Sequence, residues 1–345
     1  MNNRDQFEMR RKQHRSHKKW WLIIGFVGLI IIGGLSFWGI NMLNNARNAM
    51  KTTYQSAGHV KLRNVNTVLK HNRPFSILLL GTDTGALGRS SKNFTSRTDT
   101  MIVATVNPKN QQLSLTSIPR DTLVFIDGKS EKINAAYTLG SAGGAIKAVQ
   151  KLLNVPIDFY ALVNMGGLKQ MVNAMDGVTL TPKMTFKYGH ANVQKGVETT
   201  LDGAEALDYA RMRYDDPLGD YGRQKRQRQV IMAMANQMSS LGSIFNVQKI
   251  INQLSNNMRT DLTFDDMITL YTKYKNTSHH MKTDTLKGTD ATIDDLSYQI
   301  IRTNERYRIS KQIRQQLQLS TSSLSIDQYS ASVSTSTTDS STGTN

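Results

Sequence analysis

Four short stretches carry residue types that together could do chemistry at phosphorus: Gly81-Thr-Asp83, Ser96-Arg-Thr-Asp99, Ser117-Ile-Pro-Arg-Asp-Thr122, and the run from Arg211 to Gln227. They supply Arg97, Arg120, Arg211, Arg213 and Arg223, whose planar guanidinium groups bind phosphate oxygens in pairs. They also supply Asp83 and Asp99, hard oxygen donors suited to Mg2+ (or Mn2+), ions held by one or two carboxylates together with substrate phosphates. Arginines and a divalent cation around one phosphorus stabilise the charge that develops during phosphoryl transfer. Each feature alone has a blander meaning. An Arg120-Asp121 dipeptide is ordinarily a surface ion pair worth at most about 1 kcal/mol. Basic residues 223–228 could form a solvated helix face, which would make Arg228 a tolerant surface position.

Other chemistries lack their residues. The chain of 345 residues has no cysteine, which removes disulfides, thiolate metal sites and cysteine nucleophiles. No Gly-rich loop with its lysine is present for nucleotide hydrolysis, and no Gly-x-Ser-x-Gly elbow for acyl transfer. Among the seven histidines, His279 and His280 are adjacent, and none has metal-ligand spacing.

The elements that must position these residues are legible in outline. Residues 75–81 read as a buried strand ending at a glycine turn, and 101–106 as another. Residues 112–118 alternate polar and apolar like a half-buried strand, after a turn at 107–110. Shorter strands are expected at 159–163 and 178–180. Helical periodicity covers 145–153, 165–175, 203–213, 223–238, 247–256 and 264–274. Strands interleaved with helices predict an α/β sheet covered on both faces. Asp83 and Arg120 then fall just beyond strand ends, where open α/β sheets place their ligands. Several arginines gathered there need a shared counter-charge.

Charge and hydropathy divide the chain further. Residues 1–19 carry seven basic and two acidic side chains, +5 of a net +17. Residues 20–43 contain no charge and have Trp20, Trp21 and Trp38 near the two edges, the pattern of one transmembrane helix with aromatic anchors. The basic flank predicts residues 1–19 inside the cell and the rest outside, with no small-residue cleavage site that would release it. Residues 44–73 read as a polar extracellular stalk and 74–319 as the catalytic domain. Residues 320–345, mostly Ser and Thr, read as a disordered tail. The remaining +12 then sits outside the cell, which points to an anionic envelope partner and away from nucleic acid.

In this order, GTD, SRTDTMIV, SIPRDT, KINAAY and ARMRYDDPLGDYGRQKRQRQVI resemble the LytR-CpsA-Psr family of envelope glycopolymer transferases, over residues 74–241. The RxR…DxxRxxRQ block is the most specific part. Thr98 stands where the family often has Ser. The resemblance implies a three-layer α/β/α sandwich with a central mixed sheet, and an apolar tunnel for a polyprenyl chain with its pyrophosphate among arginines. Carried onto matching positions, Asp83 and Asp99 become metal ligands, with Arg97 beside Asp99. Arg120 and Lys132 become head-group residues, and Arg211, Arg213, Asp220, Arg223 and Gln227 the distal set. Helices at 145–153 and 165–175 would be tunnel walls unless they are ordinary core. The implied reaction moves a teichoic acid or polysaccharide from undecaprenyl pyrophosphate to a peptidoglycan hydroxyl, with Asp83 or Asp220 taking the proton. Rival expectations are a polyprenyl-pyrophosphate phosphatase, a non-catalytic carrier-binding protein, and a membrane-bound transcriptional regulator.

Overall fold

The structure, a computed structural model, describes residues 44, 47–48, 51–59, 61–84, 97–213, 216–240, 250 and 256–320. The expected cytoplasmic segment, the membrane segment at 20–43, most of the helix at 247–256 and nearly all of the tail lie outside them. Among the described residues no helix is long and apolar enough to cross a membrane. The chain divides into two units, Met1–Asn48 and Ala49–Asn345, and the fold below is that of the second.

In chain order the elements are α1 (Val65–Lys70), β1 (Phe75–Thr82), β2 (Thr98–Asn107), β3 (Gln112–Ser117), β4 (Leu123–Ile126), β5 (Lys129–Lys132), α2 (Ala135–Leu153), β6 (Phe159–Asn164) and α3 (Met165–Ala174). Then come β7 (Val178–Leu180), β8 (Phe186–Tyr188), β9 (Ala191–Val193), β10 (Thr199–Leu201), α4 (Gly203–Arg211) and α5 (Gly219–Ser240). The last are β11 (Met258–Thr260), α6 (Phe264–Tyr274), β12 (His280–Thr285), β13 (Thr289–Ile293), β14 (Leu296–Ile300) and α7 (Thr303–Gln316).

Six strands form a central mixed sheet in the order β11-β6-β1-β2-β3-β12. β1 runs parallel to β6 and antiparallel to β2, and β3 runs parallel to the edge strand β12. Strand alternation sorts the core into two faces. Leu78 and Leu80 of β1 and Met101 and Val103 of β2 pack with Ile146, Val149 and Leu153 of α2 and Ile309 and Ile313 of α7. Ile77 and Leu79 point the other way, toward α3, α4, α5 and α6. Helices therefore cover both faces, and each fully buried aliphatic side chain contributes about 1.5–3 kcal/mol.

Caps fix where the helices begin. Asn164 closes β6 and caps α3 by accepting from the Gly167 amide at 2.8 Å. Asp202 and Glu205 form a reciprocal capping box on α4. α2 starts ten residues before the periodicity suggested, because non-helical Gly140 and Ser141 interrupt it. A Cβ on Gly144 would lie 2.5 Å from the Ala136 carbonyl, so the bend is packed too closely for a side chain.

The expected stalk is corrected in its described part. Gln55 donates its amide to the Thr260 carbonyl at 2.8 Å, extending the sheet edge at β11. The Lys61 ammonium lies 3.0 Å from buried Asp261, and Arg63 pairs with buried Asp158. Thr53, Val68 and Leu69 are buried. Charged residues that suggested solvation instead meet two acids inside the domain.

Candidate active site

The connection between α4 and α5 delivers most of the site. α4 ends where buried Met212 turns to extended geometry, and Arg211 and Arg213 on either side of it both line one cavity. Arg226, nearly buried on α5, donates to Asp216 and to the Met212 carbonyl and sits 5.7 Å over the Phe186 ring. These contacts tie the ends of the connection together. Burial opposes the Asp216 charge, but the Arg226 hydrogen bond and the Leu218 amide outweigh it and hold the carboxyl below its usual range. Gly222 permits this, since a Cβ there would lie 1.8 Å from Asp216 Oδ2.

Asp99, at the start of β2, is the hub. Arg120 Nη1 donates to its Oδ1 at 2.8 Å, and Arg223 Nη2 donates to its carbonyl at 3.4 Å. Arg223 also pairs with Asp220 at 2.6 Å, and Gln224 donates to the other Asp220 oxygen at 2.8 Å. Arg120 lies 3.5 Å from Asp121, which Lys132 meets at 2.9 Å. Burial works against the Arg120 charge, but Asp99, Asp121 and Asp220 overcome it and raise its pKa. For Arg223 burial prevails, aided by the Arg120 and Arg213 charges and resisted by Asp220 and Asp99, so its pKa falls.

Beside this cluster lies a cavity of about 510 Å³. Asp83, Asp99, Arg211, Arg213, Arg223 and Gln227 line it, along with the apolar side chains of Leu79, Val163, Leu168, Met171, Val230 and Met234. α5 displays the gradient along one stripe: Arg223, Gln227, Val230, Ile231 and Met234 follow at helical spacing and all face the space. One cavity thus joins guanidinium groups to a hydrocarbon-like wall.

Residues 39–315 match the LytR_cpsA_psr family. The chain belongs to the LytR-CpsA-Psr family. An Enterococcus faecalis (strain ATCC 700802 / V583) protein named polyisoprenyl-teichoic acid–peptidoglycan teichoic acid transferase TagU is 40% identical over 298 residues, covering 86% of this chain and 94% of that protein. The X-ray structure of an Enterococcus faecalis protein described as a transcriptional regulator is similar, with a TM-score of 0.68 at 35% identity, over 78% of this chain and 97% of that one. A structure of TagT bound to LIIa-WTA has a TM-score of 0.64 at 25% identity, over 77% of this chain and 99% of that one.

Within the LytR-CpsA-Psr domain the expected residues divide into groups. Asp83, Asp99, Arg211, Arg213, Arg223 and Gln227 line the cavity. Arg120, Asp220 and Lys132 do not, but join it through Asp99, Arg223 and Asp121. Arg97 stands exposed at the start of β2, outside the lining, and its charge reaches Tyr298. Among the described residues no three His, Asp or Glu side chains form a metal cluster. Two carboxylates, Asp83 and Asp99, share the cavity wall with arginines, a donor set that fits a cation completed by substrate phosphate.

Of the two helices weighed as tunnel wall or ordinary core, one is core and the other wall, and one further expectation is corrected. Residues 145–153 of α2 pack on the opposite face of the sheet, whereas Met165, Leu168 and Met171 of α3 do line the cavity. Arg228 is not a surface residue. It is 4% exposed, donates to Ser117 Oγ, and is pushed down to about 10 by burial against the pull of Asp284. Sequence reasoning missed Tyr188, Leu207 and Met258 as lining residues. Val230, Ile231 and Met234 continue the stripe from Arg223, but apolar residues at that spacing read equally well as core.

Proposed function

We propose that this protein is a membrane-anchored extracytoplasmic phosphotransferase that moves a teichoic acid or related polysaccharide from a polyprenyl pyrophosphate carrier to a peptidoglycan hydroxyl. The observation that carries the reading is the single cavity with arginines at one end of the α5 stripe and Val230, Ile231 and Met234 along the rest. An anionic head with a long apolar tail matches that gradient better than a nucleotide or a nucleic acid does. The teichoic acid transferase name of a relative aligned over most of both chains supports the choice of polymer and acceptor. Residues 1–43 supply the basic flank and the uncharged apolar run of an anchor.

In this reading the apolar wall holds the polyprenyl chain, and Arg211, Arg213 and Arg223 hold the pyrophosphate, with Arg120 behind Asp99. The acceptor hydroxyl attacks the phosphorus nearer the polymer. The bond from that phosphorus to the bridging oxygen breaks, polyprenyl phosphate leaves with its electron pair, and a phosphodiester joins polymer to wall. The hydroxyl proton passes to a carboxylate at this end, for which Asp83 and Asp220 are the candidates. Asp83 and Asp99 would hold Mg2+, which when bound neutralises pyrophosphate charge. Guanidinium groups pre-placed in a half-buried site need no reorganisation as charge moves onto the leaving phosphate.

The test is release of polyprenyl phosphate from a short lipid-linked glycan by the full chain in detergent, with peptidoglycan present and with or without EDTA. Release with glycan joined to the wall fragment, strongly reduced in Arg120→Ala and abolished by EDTA, is the expected result. Release without attachment would reassign the protein as a pyrophosphatase. Binding without release would make it a carrier-binding protein.

A further inference from the structure

The hairpin β13–β14 lies outside every motif considered above, yet it touches both segments that deliver the central arginines. Gln299 of β14 donates its backbone amide to the Asp121 carbonyl at 2.8 Å, one residue after Arg120, and pairs with Thr122 as an isolated bridge. Its side-chain Oε1 accepts from the Tyr221 hydroxyl at 3.0 Å, between Asp220 and Arg223 on the first turn of α5. The same hydroxyl accepts the Gly288 amide at 3.1 Å, and Gln299 Nε2 donates to Asp290, which sets the orientation of the amide. Next to Gln299, buried Tyr298 carries the Lys132 ammonium 5.8 Å over its ring. One residue therefore bridges the Arg120 loop and the Arg223 helix.

Such a bridge has a physical task. Arg120 and Arg223 both bind Asp99, so two like charges are held close in a partly desolvated site. Without restraint their repulsion favours spreading the two segments, and placement errors near 1 Å in a reacting site cost about a hundredfold in rate.

We propose that Gln299 is a positioning residue which, through the Tyr221 hydroxyl, sets the spacing of Arg120 and Arg223 for the transfer step. This rests on the proposed phosphotransferase reading for its kinetic consequence, though not for the clamp itself. Gln299 touches no reacting atom and acts through the segments it joins.

The experiment compares the full chain in detergent as wild type, Gln299→Ala, Tyr221→Phe, the double variant, and Gln299→Glu combined with Asp290→Asn. The last keeps an acceptor for Tyr221 and reverses the donor toward position 290. Expected for each single variant is a fall in kcat for polyprenyl phosphate release of about tenfold or more, with KM changed by less than about threefold. The double variant falls no further than the worse single one, and the swap recovers most of the loss. Wild-type kcat in both single variants, a loss confined to KM, or fully additive losses would each overturn the proposal. Amide hydrogen exchange provides the second readout, with residues 120–122 and 219–223 exchanging faster together in Gln299→Ala and Tyr221→Phe. Should the wild type release nothing, the reaction reading fails and exchange alone decides the clamp: unchanged exchange in both segments refutes it.

Discussion

Arg120 and Arg223 hold the same residue by different groups: Arg120 takes the Asp99 carboxylate at 2.8 Å, and Arg223 reaches the Asp99 carbonyl at 3.4 Å. Asp99 is thus both a wall of the cavity and the spacer between two cations. An anion entering the cavity meets Arg223 directly, while Arg120 acts from behind the carboxylate. The arrangement ties the cavity wall to both guanidinium groups through one residue.

Arg120 should therefore be more than a charge. Arg120→Ala should lower kcat on the order of 10²–10³-fold, the scale of removing one preorganised charge-stabilising donor. Arg120→Lys should recover little of this, because a single ammonium cannot reach Asp99 and Asp121 with the same fork. Polyprenyl phosphate release at saturating donor measures both, and near-wild-type turnover in Arg120→Lys would reduce the residue to a source of positive potential.

The Arg226–Asp216 pair makes a separate statement about stability. Both side chains are nearly buried, at 5% and 6% exposure. Removing one partner leaves a buried charge, so Arg226→Ala should destabilise the domain by about 3–5 kcal/mol. The pH dependence has a definite sign. Asp216 is depressed below its ordinary 3.8, so the stability it contributes is complete above that value and is lost as pH falls through the lower native value. Denaturant titrations from pH 7 to pH 3 should show a smaller acid-side loss in Asp216→Asn than in wild type.

Arg228 was expected on a solvated face and is instead inside the fold, with Ser117 and the Asp284 charge beside it. Arg228→Ala should lower stability by about 2–4 kcal/mol, since it opens a cavity and strips the Ser117 contact. Arg228→Met, which keeps the stem and removes the buried charge, should recover most of that. Equal thermal denaturation of Arg228→Ala and wild type would return the residue to the surface.

How far the sequence discloses this protein can be judged from α5. Arg223 stands out because several arginines gathered in one chain segment need a shared counter-charge, and Gln227 only through its place in the DxxRxxRQ block of the family. Val230, Ile231 and Met234 do not, because apolar residues at helical spacing read equally well as core. Arg226 and Arg228 mislead for the same reason in reverse: an arginine looks solvated until its partner, Asp216 or Ser117, is brought to it by the fold. β1, β2, β3 and β6 were readable from alternation or continuous apolar runs. β12 was not, since an edge strand reading His-Met-Lys-Thr-Asp-Thr buries little and is defined by its pairing with β3. α7 hid behind its polarity, with Ile309 and Ile313 its only buried aliphatic positions.

The apolar end of the cavity makes the last prediction, one that separates tail recognition from chemistry. Val230 and Met234 lie on the α5 stripe beyond Gln227, and both line the cavity. Replacing Met234 with Trp fills space there without touching Asp99 or the arginines. If a polyprenyl chain occupies that space, KM for a long-chain donor should rise about tenfold or more, with kcat largely kept, because the lost interaction is made equally in ground and transition states. A donor with a much shorter prenyl chain should be affected little, since it never reaches the filled region. The ratio of the two KM values, long chain over short, is the quantity to measure. A parallel rise for both donors would mean that the tryptophan disturbs the head-group end, and an unchanged ratio with unchanged KM would place the tail elsewhere on the protein.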